Sequence, residues 1–269
     1  KKENLSGVIH FAGLKAVEES IKYPLLYWDN NVNGTLNLLK IMEKYNCKTI
    51  VFSSSATVYD KSINNNHLDE KSKLKPSNPY GETKLAIEKI LENVFESSPK
   101  WRIASLRYFN PIGAHSSGLI GENPCGSPNN IFPIITQVAL RNKKYLKVYG
   151  NDWDTHDGTG VRDYIHVMDL AQGHIAALEW LFKKNQDRIN INLGTGIGTS
   201  VIDLICTFKS ENNIDIPFKI VGRRNGDNGY VVANNSYAKS MLNWEPIYDL
   251  EDMCRDGWNW QKQNPEGFQ

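Results

Sequence analysis

Three short apolar runs punctuate the first 109 residues: Val8-Ile9-His10-Phe11, Thr49-Ile50-Val51-Phe52 and Ile103–Phe109. Each stops abruptly in small or polar residues: Ala12-Gly13, the triplet Ser53-Ser54-Ser55, and Asn110. Runs of this length with such ends read as buried strands. The stretches between them carry helical spacing. Leu36, Leu39 and Met42 share a face over about Asn31–Tyr45, and Ile87, Ile90, Leu91 and Val94 follow i, i+3, i+4, i+7. Buried strands alternating with amphipathic helices predict a parallel sheet with helices packed on it. Ligands of such sheets gather at the carboxyl ends of the strands, where Gly13 with Lys15, the serine triplet and Asn110 stand. Asn64-Asn65-Asn66 falls in a polar loop.

From about Pro111 the texture changes. "GENPCGSPNNIFP" (121–133) and "GNDWDTHDGTGVRDY" (150–164) are rich in Gly, Pro, Asn and Asp. Residues 1–109 therefore read as one α/β unit and 110–269 as a second, loop-rich one. Within the second, about 164–181 reads as a strand end plus helix that returns to the first layer. The chain has 31 basic and 30 acidic residues in 269, a formal net charge of +1. That balance gives no global field toward nucleic acid or an anionic membrane. No apolar run reaches the roughly 18–20 residues of a membrane span, and KKENLSGVIHF has no signal-peptide apolar region. Cys47, Cys125, Cys206 and Cys254 are scattered without a CxxC pair. Free thiols in a reducing compartment, a cytoplasmic protein and no metal site are the expectations.

"NLGTGIGTS" (192–200) invites a phosphate-cradle reading, but its glycines are spaced G-x-G-x-G rather than G-x-G-x-x-G. We read it as a structural turn, with Ser200 and Asp203 forming a helix-capping pair. The G-x-G-x-x-G fingerprint is absent from the sequence. The expectation is that it precedes residue 1, that the sheet is N-terminally incomplete, and that residues 1–269 alone do not retain a dinucleotide.

"NPYGETK" (78–84) places Tyr80 four residues before Lys84. On a helix those side chains are neighbours, which by itself is common. An unperturbed tyrosine titrates near pH ~10, and a nearby ammonium favours the phenolate, moving the phenol toward a useful base. A hydroxyl at a strand end, Ser55 or Thr57, would hold the oxygen of a reacting carbinol. The order strand–Ser, then about 25 residues, then Tyr-x-x-x-Lys suits removal of a hydroxyl proton alongside hydride transfer to a nicotinamide.

These motifs resemble the extended short-chain dehydrogenase/reductase superfamily and, within it, the UDP-glucose (UDP-galactose) 4-epimerases. "FAGLKAVEES" (11–20), "DNNVNGTLNLL" (29–39), "SSSATVY" (53–59), "NPYGETK", "LRYFNPIGAH" (106–115), "PNNIFPIITQVA" (128–139), "YGNDWDTHDGTGVRDYIHVMDLA" (149–171) and "NLGTGIGTSV" (192–201) carry the resemblance over nearly the whole chain. It implies a Rossmann-type doubly wound parallel sheet with a smaller α/β substrate-binding domain. It also implies a resident NAD and a UDP-hexose substrate. By the same resemblance Tyr80 would take the proton from the sugar O4 hydroxyl. Lys84 would hold the nicotinamide ribose and depress the Tyr80 pKa, and Ser55 would bind O4 and relay the proton. Phe11, Ala12, Gly13 and Lys15 would line NAD, with Asn30 and Phe109 beside it. Asn110 and Asn130 would be substrate amides, and Tyr149 would lie along the uracil. Arg162 and Arg224 would neutralise the diphosphate, and Asp227 would accept from a ribose hydroxyl.

The resemblance further implies a homodimer built through about Asn31–Tyr45 and Tyr80–Phe95. Val231 would border the hexose and favour plain hexoses over N-acetylated ones. Nucleotide-sugar dehydratases and decarboxylases share the Tyr/Lys pair. Dehydratases place an Asp-Glu pair after the strand-end Thr, whereas Ser55-Ala56-Thr57 holds no carboxylate. A non-catalytic nucleotide-sugar-binding fragment is the alternative of a different class.

Overall fold

The computed structural model describes residues 5–60, 67–98, 100–124, 126, 128–184, 187–224 and 226–268. The Asn64–Asn66 loop and Cys125 lie outside the described residues. The first half contains β1 (Val8–His10), α1 (Val17–Lys22), α2 (Pro24–Tyr27), a π-helical turn (Trp28–Asn33), α3 (Gly34–Lys44), β2 (Thr49–Ser53), α4 (Pro79–Ser97), β3 (Arg102–Tyr108) and β4 (Asn110–Ile112). The second contains α5 (Ile131–Ala139), β5 (Leu146–Tyr149), β6 (Val161–His166), α6 (Val167–Phe182), β7 (Asp187–Leu193), β8 (Gly198–Ser200), α7 (Val201–Asn212), β9 (Phe218–Val221), β10 (Tyr230–Val231), α8 (Ser236–Leu242) and α9 (Leu250–Gln263).

β1, β2, β3 and β7 form one parallel sheet in that order. β2 and β3 are buried on both faces, which is why they read as apolar runs rather than alternating ones. Ile50, Phe52 and Ile103 point to one side, where they pack with Leu39 and Met42 of α3 and Ile87 and Leu91 of α4. Val51, Ala104 and Leu106 point to the other, against Ala177, Trp180 and Leu181 of α6. Truncating a core residue such as Leu91 to Ala costs about 2–5 kcal/mol. The sheet thus takes back α6 and β7 from far along the chain.

A second sheet, β10-β6-β4 with β8 antiparallel to β6, and the β5–β9 pair belong to the later residues. They share a core of Phe132, Ile135, Phe208 and Met253 with α5, α7 and α9. Among the described residues no helix is long and apolar enough to cross a membrane.

The single helix expected over Asn31–Tyr45 is instead the end of a longer helical path that begins at Val17. α1 and α2 lack side-chain caps, so local sequence does little to specify them. Tertiary contacts hold them. The Tyr27 hydroxyl accepts from the Ala16 amide at 3.0 Å and donates to Glu19 at 2.7 Å.

Candidate active site

The site lies where β1, β2 and β3 end together. The turn after β1 presents Phe11 to Lys15, the turn after β2 presents Ser54 and Ser55, and Phe109 follows β3. α4 starts beside them. The Asn78 side chain accepts from the Gly81 amide at 2.9 Å and Pro79 opens the helix, so Tyr80 stands in the first turn and Lys84 in the next. A Cβ at Gly81 would lie 2.7 Å from the Thr57 carbonyl oxygen. Glycine therefore lets α4 rest directly on the turn that carries Ser55.

Tyr80 and Lys84 share a buried face of α4. The Lys84 ammonium donates to the Ser53 carbonyl at 2.7 Å and sits 5.8 Å from the Tyr80 ring centroid. Burial pulls its pKa down to about 8. Burial also pushes the Tyr80 phenol above its ordinary range; Tyr108 and Tyr27 add to this and a hydrogen bond with Ser55 opposes it. The expected depression by Lys84 is therefore not seen here. Desolvation of the phenolate dominates, and the ammonium is turned toward Ser53. Ser55 Oγ accepts from the Thr57 amide at 3.2 Å and the Thr57 hydroxyl at 3.0 Å. With both its lone pairs engaged, its own proton is left to donate toward Tyr80. Phe109 is buried beneath the same turn, with Ala56 and Val58.

Phe11 is 57% exposed and packs its ring 4.6 Å from His174. Ala12 and Gly13 are exposed beside it. Asn30 is exposed, whereas its neighbour Asn31 is buried. Asn31 Oδ1 accepts from the Leu14 amide at 2.7 Å, and its amide nitrogen donates to the Leu14 carbonyl and Thr83 hydroxyl at 3.0 and 3.1 Å. It thus ties the turn after β1 to α4 between Tyr80 and Lys84.

A cleft of about 720 Å³ opens between this edge and the later residues. Gly13, Lys15, Asn130, Arg224 and Asp227 line it, and the lining reaches α4 at Asn78, short of Tyr80, Lys84 and Ser55. Arg224 stacks 4.0 Å above the Tyr149 ring and pairs with Asp227 at 3.4 Å. Arg162 approaches Asp227 at 3.8 Å from the other side. Ion pairs span the cleft: Lys15 with Glu122 at 3.2 Å and Arg224 with Glu18 at 3.6 Å. Both are solvent-exposed and of the kind worth at most about 1 kcal/mol. Asn130 also donates to Glu122 at 3.4 Å. Asn110, exposed on β4, is not part of this lining.

The glycine turn of "NLGTGIGTS" has an occupant of its own. Asp163 of β6 accepts from the Thr195 amide and hydroxyl at 2.8 and 2.7 Å, the Gly196 amide at 3.0 Å and the Ala233 amide at 3.1 Å. A carboxylate of the chain fills the cradle that a phosphate would need. Ser200 and Asp203 form a reciprocal capping box at the head of α7.

Sequence reasoning missed Asn31, Asp163 and the buried pair of Glu88 with Arg107. Glu88 could have been found, because Tyr80, Lys84 and Glu88 repeat at i, i+4, i+8 on one face. Nothing in local sequence distinguished Arg107 from an ordinary strand residue.

Comparison with known proteins agrees with this architecture. The NAD dependent epimerase/dehydratase family matches residues 1–194. UDP-glucose 4-epimerase 2 of Oryza sativa subsp. japonica is 51% identical over 97% of this chain, which spans 64% of that protein. UDP-glucose 4-epimerase of Dictyostelium discoideum is 50% identical over 98% of this chain and 77% of its own length. The crystal structure of UDP-glucose 4-epimerase from Bifidobacterium longum in complex with NAD+ and UDP superposes with a TM-score of 0.93. It is 46% identical, covering 99% of this chain and 79% of that one. With its parallel sheet, its Ser55, Tyr80 and Lys84 gathered at the strand ends, and this match over most of its length, the chain belongs to the NAD dependent epimerase/dehydratase family.

Proposed function

We propose that this chain carries the catalytic residues of an NAD-dependent isomerase that interconverts UDP-glucose and UDP-galactose at C4. The observation that carries the reading is the convergence of the Ser55 hydroxyl, the Tyr80 phenol and the Lys84 ammonium at the ends of parallel strands. Relatives about half identical in sequence bear the name UDP-glucose 4-epimerase.

The residues fit the nicotinamide half of a dinucleotide. An ammonium has three donors, and among the described residues Ser53 is the one hydrogen-bond acceptor of Lys84, so donors remain for a ribose diol. Phe11 offers an exposed aromatic face, and Asn31 fixes the backbone next to Gly13. Bound there, NAD+ supplies the hydride acceptor, and its positive charge favours a phenolate nearby. Tyr80 takes the proton of the sugar O4 hydroxyl and returns it after the sugar has presented its other face. Ser55, its lone pairs held by Thr57, donates toward the oxygen that gains charge. Lys84 orients the ribose and adds positive potential at the phenol.

Lys15, Asn30 and Phe109 belong to the cofactor side of this reading. On the substrate side, Arg162 and Arg224 neutralise the diphosphate, for which guanidinium forks are suited. Tyr149 lies along the uracil, Asp227 accepts from its ribose, and Asn110 and Asn130 contact the sugar nucleotide. Ala56, following Ser55, offers no carboxylate for elimination, which disfavours the dehydratase reading.

We assign residues 1–109 to the cofactor domain and 110–269 to the substrate domain, with about 164–181 returning to the cofactor layer, where α6 packs and β7 joins the sheet. A homodimer and a cytoplasmic location belong to the same proposal. Exposed Leu25, Ile41 and Tyr45 along α2 and α3 offer apolar surface to a second copy, and the free thiols Cys47 and Cys254 suit a reducing compartment. Purified protein that joins this chain to a glycine-rich pyrophosphate turn, incubated with NAD+ and UDP-galactose, should form UDP-glucose. Hydrolysis, water elimination or loss of carbon dioxide as the sole outcome would replace this reading.

A further inference from the structure

Below the catalytic edge lies a charged cluster that the reaction as described does not use. Glu88 of α4 and Arg107 of β3 are both buried. They face each other in a two-point pair, with Arg107 Nε donating to Oε1 at 2.9 Å and Nη2 to Oε2 at 2.6 Å. The Ser54 hydroxyl donates to the same Oε1 at 2.5 Å. The remaining edge of the guanidinium donates to the Tyr59 hydroxyl at 3.2 Å and the Glu70 carbonyl at 3.1 Å. Tyr59 in turn donates to Asn192 of β7 at 2.6 Å.

The position of this cluster gives it meaning. Glu88 is one helical turn beyond Lys84 and two beyond Tyr80, on their face of α4. Ser54 lies between Ser53, whose carbonyl receives Lys84, and Ser55, which meets Tyr80. An ion pair buried this deeply is weak evidence of net stabilisation, because desolvation offsets the attraction. It does impose one geometry, since a bidentate fork tolerates little sliding.

We infer that the Glu88–Arg107 pair, acting through the Ser54 hydroxyl, is a positioning device that locks the strand end Ser53–Ser55 to α4 and so sets the register of Ser55 and Lys84 against Tyr80. These are positioning residues; none touches the reacting atoms. The inference rests on the catalytic reading of Tyr80, Lys84 and Ser55 but is tested separately from it.

Ser54→Ala is the informative variant. It removes the tether while leaving the ion pair intact, so the fold keeps its buried charges neutralised. Ser54→Thr keeps the hydroxyl and is the rescue. The first readout needs no turnover: the titration midpoint of Lys84, followed by competitive acetylation across pH and peptide mass spectrometry. In the parent protein that midpoint lies at about 8. Ser54→Ala should raise it by about one unit or more as the strand end loosens and water reaches the ammonium, and Ser54→Thr should restore it. In the second readout, kcat should fall about tenfold in Ser54→Ala, with KM for UDP-galactose unchanged, as expected for lost orientation. A Lys84 midpoint and kcat both equal to the parent's, even with a lowered melting temperature, would make the cluster merely structural and overturn the inference. If the parent protein fails to interconvert the sugars, the proposed reaction falls, and the Lys84 titration still decides whether Ser54 holds the strand end.

Discussion

Gly81→Ala is a single-methyl perturbation whose consequence can be worked from geometry. The added Cβ would lie 2.7 Å from the Thr57 carbonyl oxygen and 3.0 Å from Pro76. A comfortable carbon–oxygen contact is about 3.3 Å, so α4 and the turn after β2 must separate by roughly 0.6 Å. The obstacle is backbone, so no side-chain rotation relieves it. Overpacking of this kind costs about 1–3 kcal/mol, and the better helix propensity of alanine returns about 1 kcal/mol. Net destabilisation is about 0–2 kcal/mol, a fall of up to about 8 °C in melting temperature at about 2–4 °C per kcal/mol. The effect on chemistry is larger. Separation falls between Ser55 and Tyr80, and since a misplacement near 1 Å costs about 10²-fold, kcat should drop about tenfold or more. Urea unfolding and initial-rate kinetics on the same preparation measure both. UDP binding, whose proposed residues are elsewhere, should stay within about twofold, under 0.5 kcal/mol. A variant more stable than the parent by about 1 kcal/mol and equally active would show that only helix propensity had changed, and that the close approach does not position the site.

Lys84→Met should lower NAD affinity and turnover while relieving strain in the ligand-free protein. The folded midpoint of Lys84, about 8, is below its ordinary 10.5, so the fold disfavours the ammonium. That penalty is complete below pH 8 and lifts as pH rises toward 10.5. Urea midpoints at pH values on either side of 8 should show the parent gaining about 1 kcal/mol or more relative to the variant; parallel behaviour would mean Lys84 is not desolvated. Asp163→Asn should destabilise the protein by about 2–3 kcal/mol, because an amide nitrogen is turned toward backbone donors. Full stability would remove Asp163 as the occupant of the glycine turn. Arg224→Ala should weaken UDP binding about tenfold or more with a smaller effect on NAD retention, in line with loss of a charge-assisted contact of about 1.5–3 kcal/mol. Unchanged UDP affinity by calorimetry would return Arg224 to a stacked surface residue.

The parts of the fold legible in the sequence were those with strong periodicity. β2 is buried at every position, and α4 carries an apolar stripe behind an Asn-Pro start, so each announced itself. α1 and α2 have six and four residues and no side-chain caps, and they exist because Tyr27 and Glu19 close over Ala16. No local pattern encodes that closure. At the site, Tyr80 and Lys84 were legible because helix geometry converts a four-residue spacing into adjacency. Asn31 was not, because its partners Leu14 and Thr83 are 17 and 52 positions away. Arg107 read as an ordinary strand charge, and only the packing of α4 on β3 shows that it is enclosed with Glu88. The phenol's direction of shift was misjudged for a related reason. Spacing reveals a neighbouring ammonium but not the burial that raises the phenol's pKa.

The central claim is that the Tyr80 phenol moves the O4 proton while other residues hold the nucleotide. Tyr80→Phe removes one oxygen from a buried side chain and leaves the cleft lined by Lys15, Arg224 and Asp227 untouched. The decisive measurement is the rate of UDP-galactose conversion in this variant, paired with calorimetric UDP binding on the same sample. The account predicts a loss of about 10²–10⁴-fold in rate, the usual worth of a positioned acid–base group, with the UDP dissociation constant unchanged within about twofold. Turnover retained above a few per cent, with UDP still bound, would contradict it and move the proton-transfer role away from Tyr80.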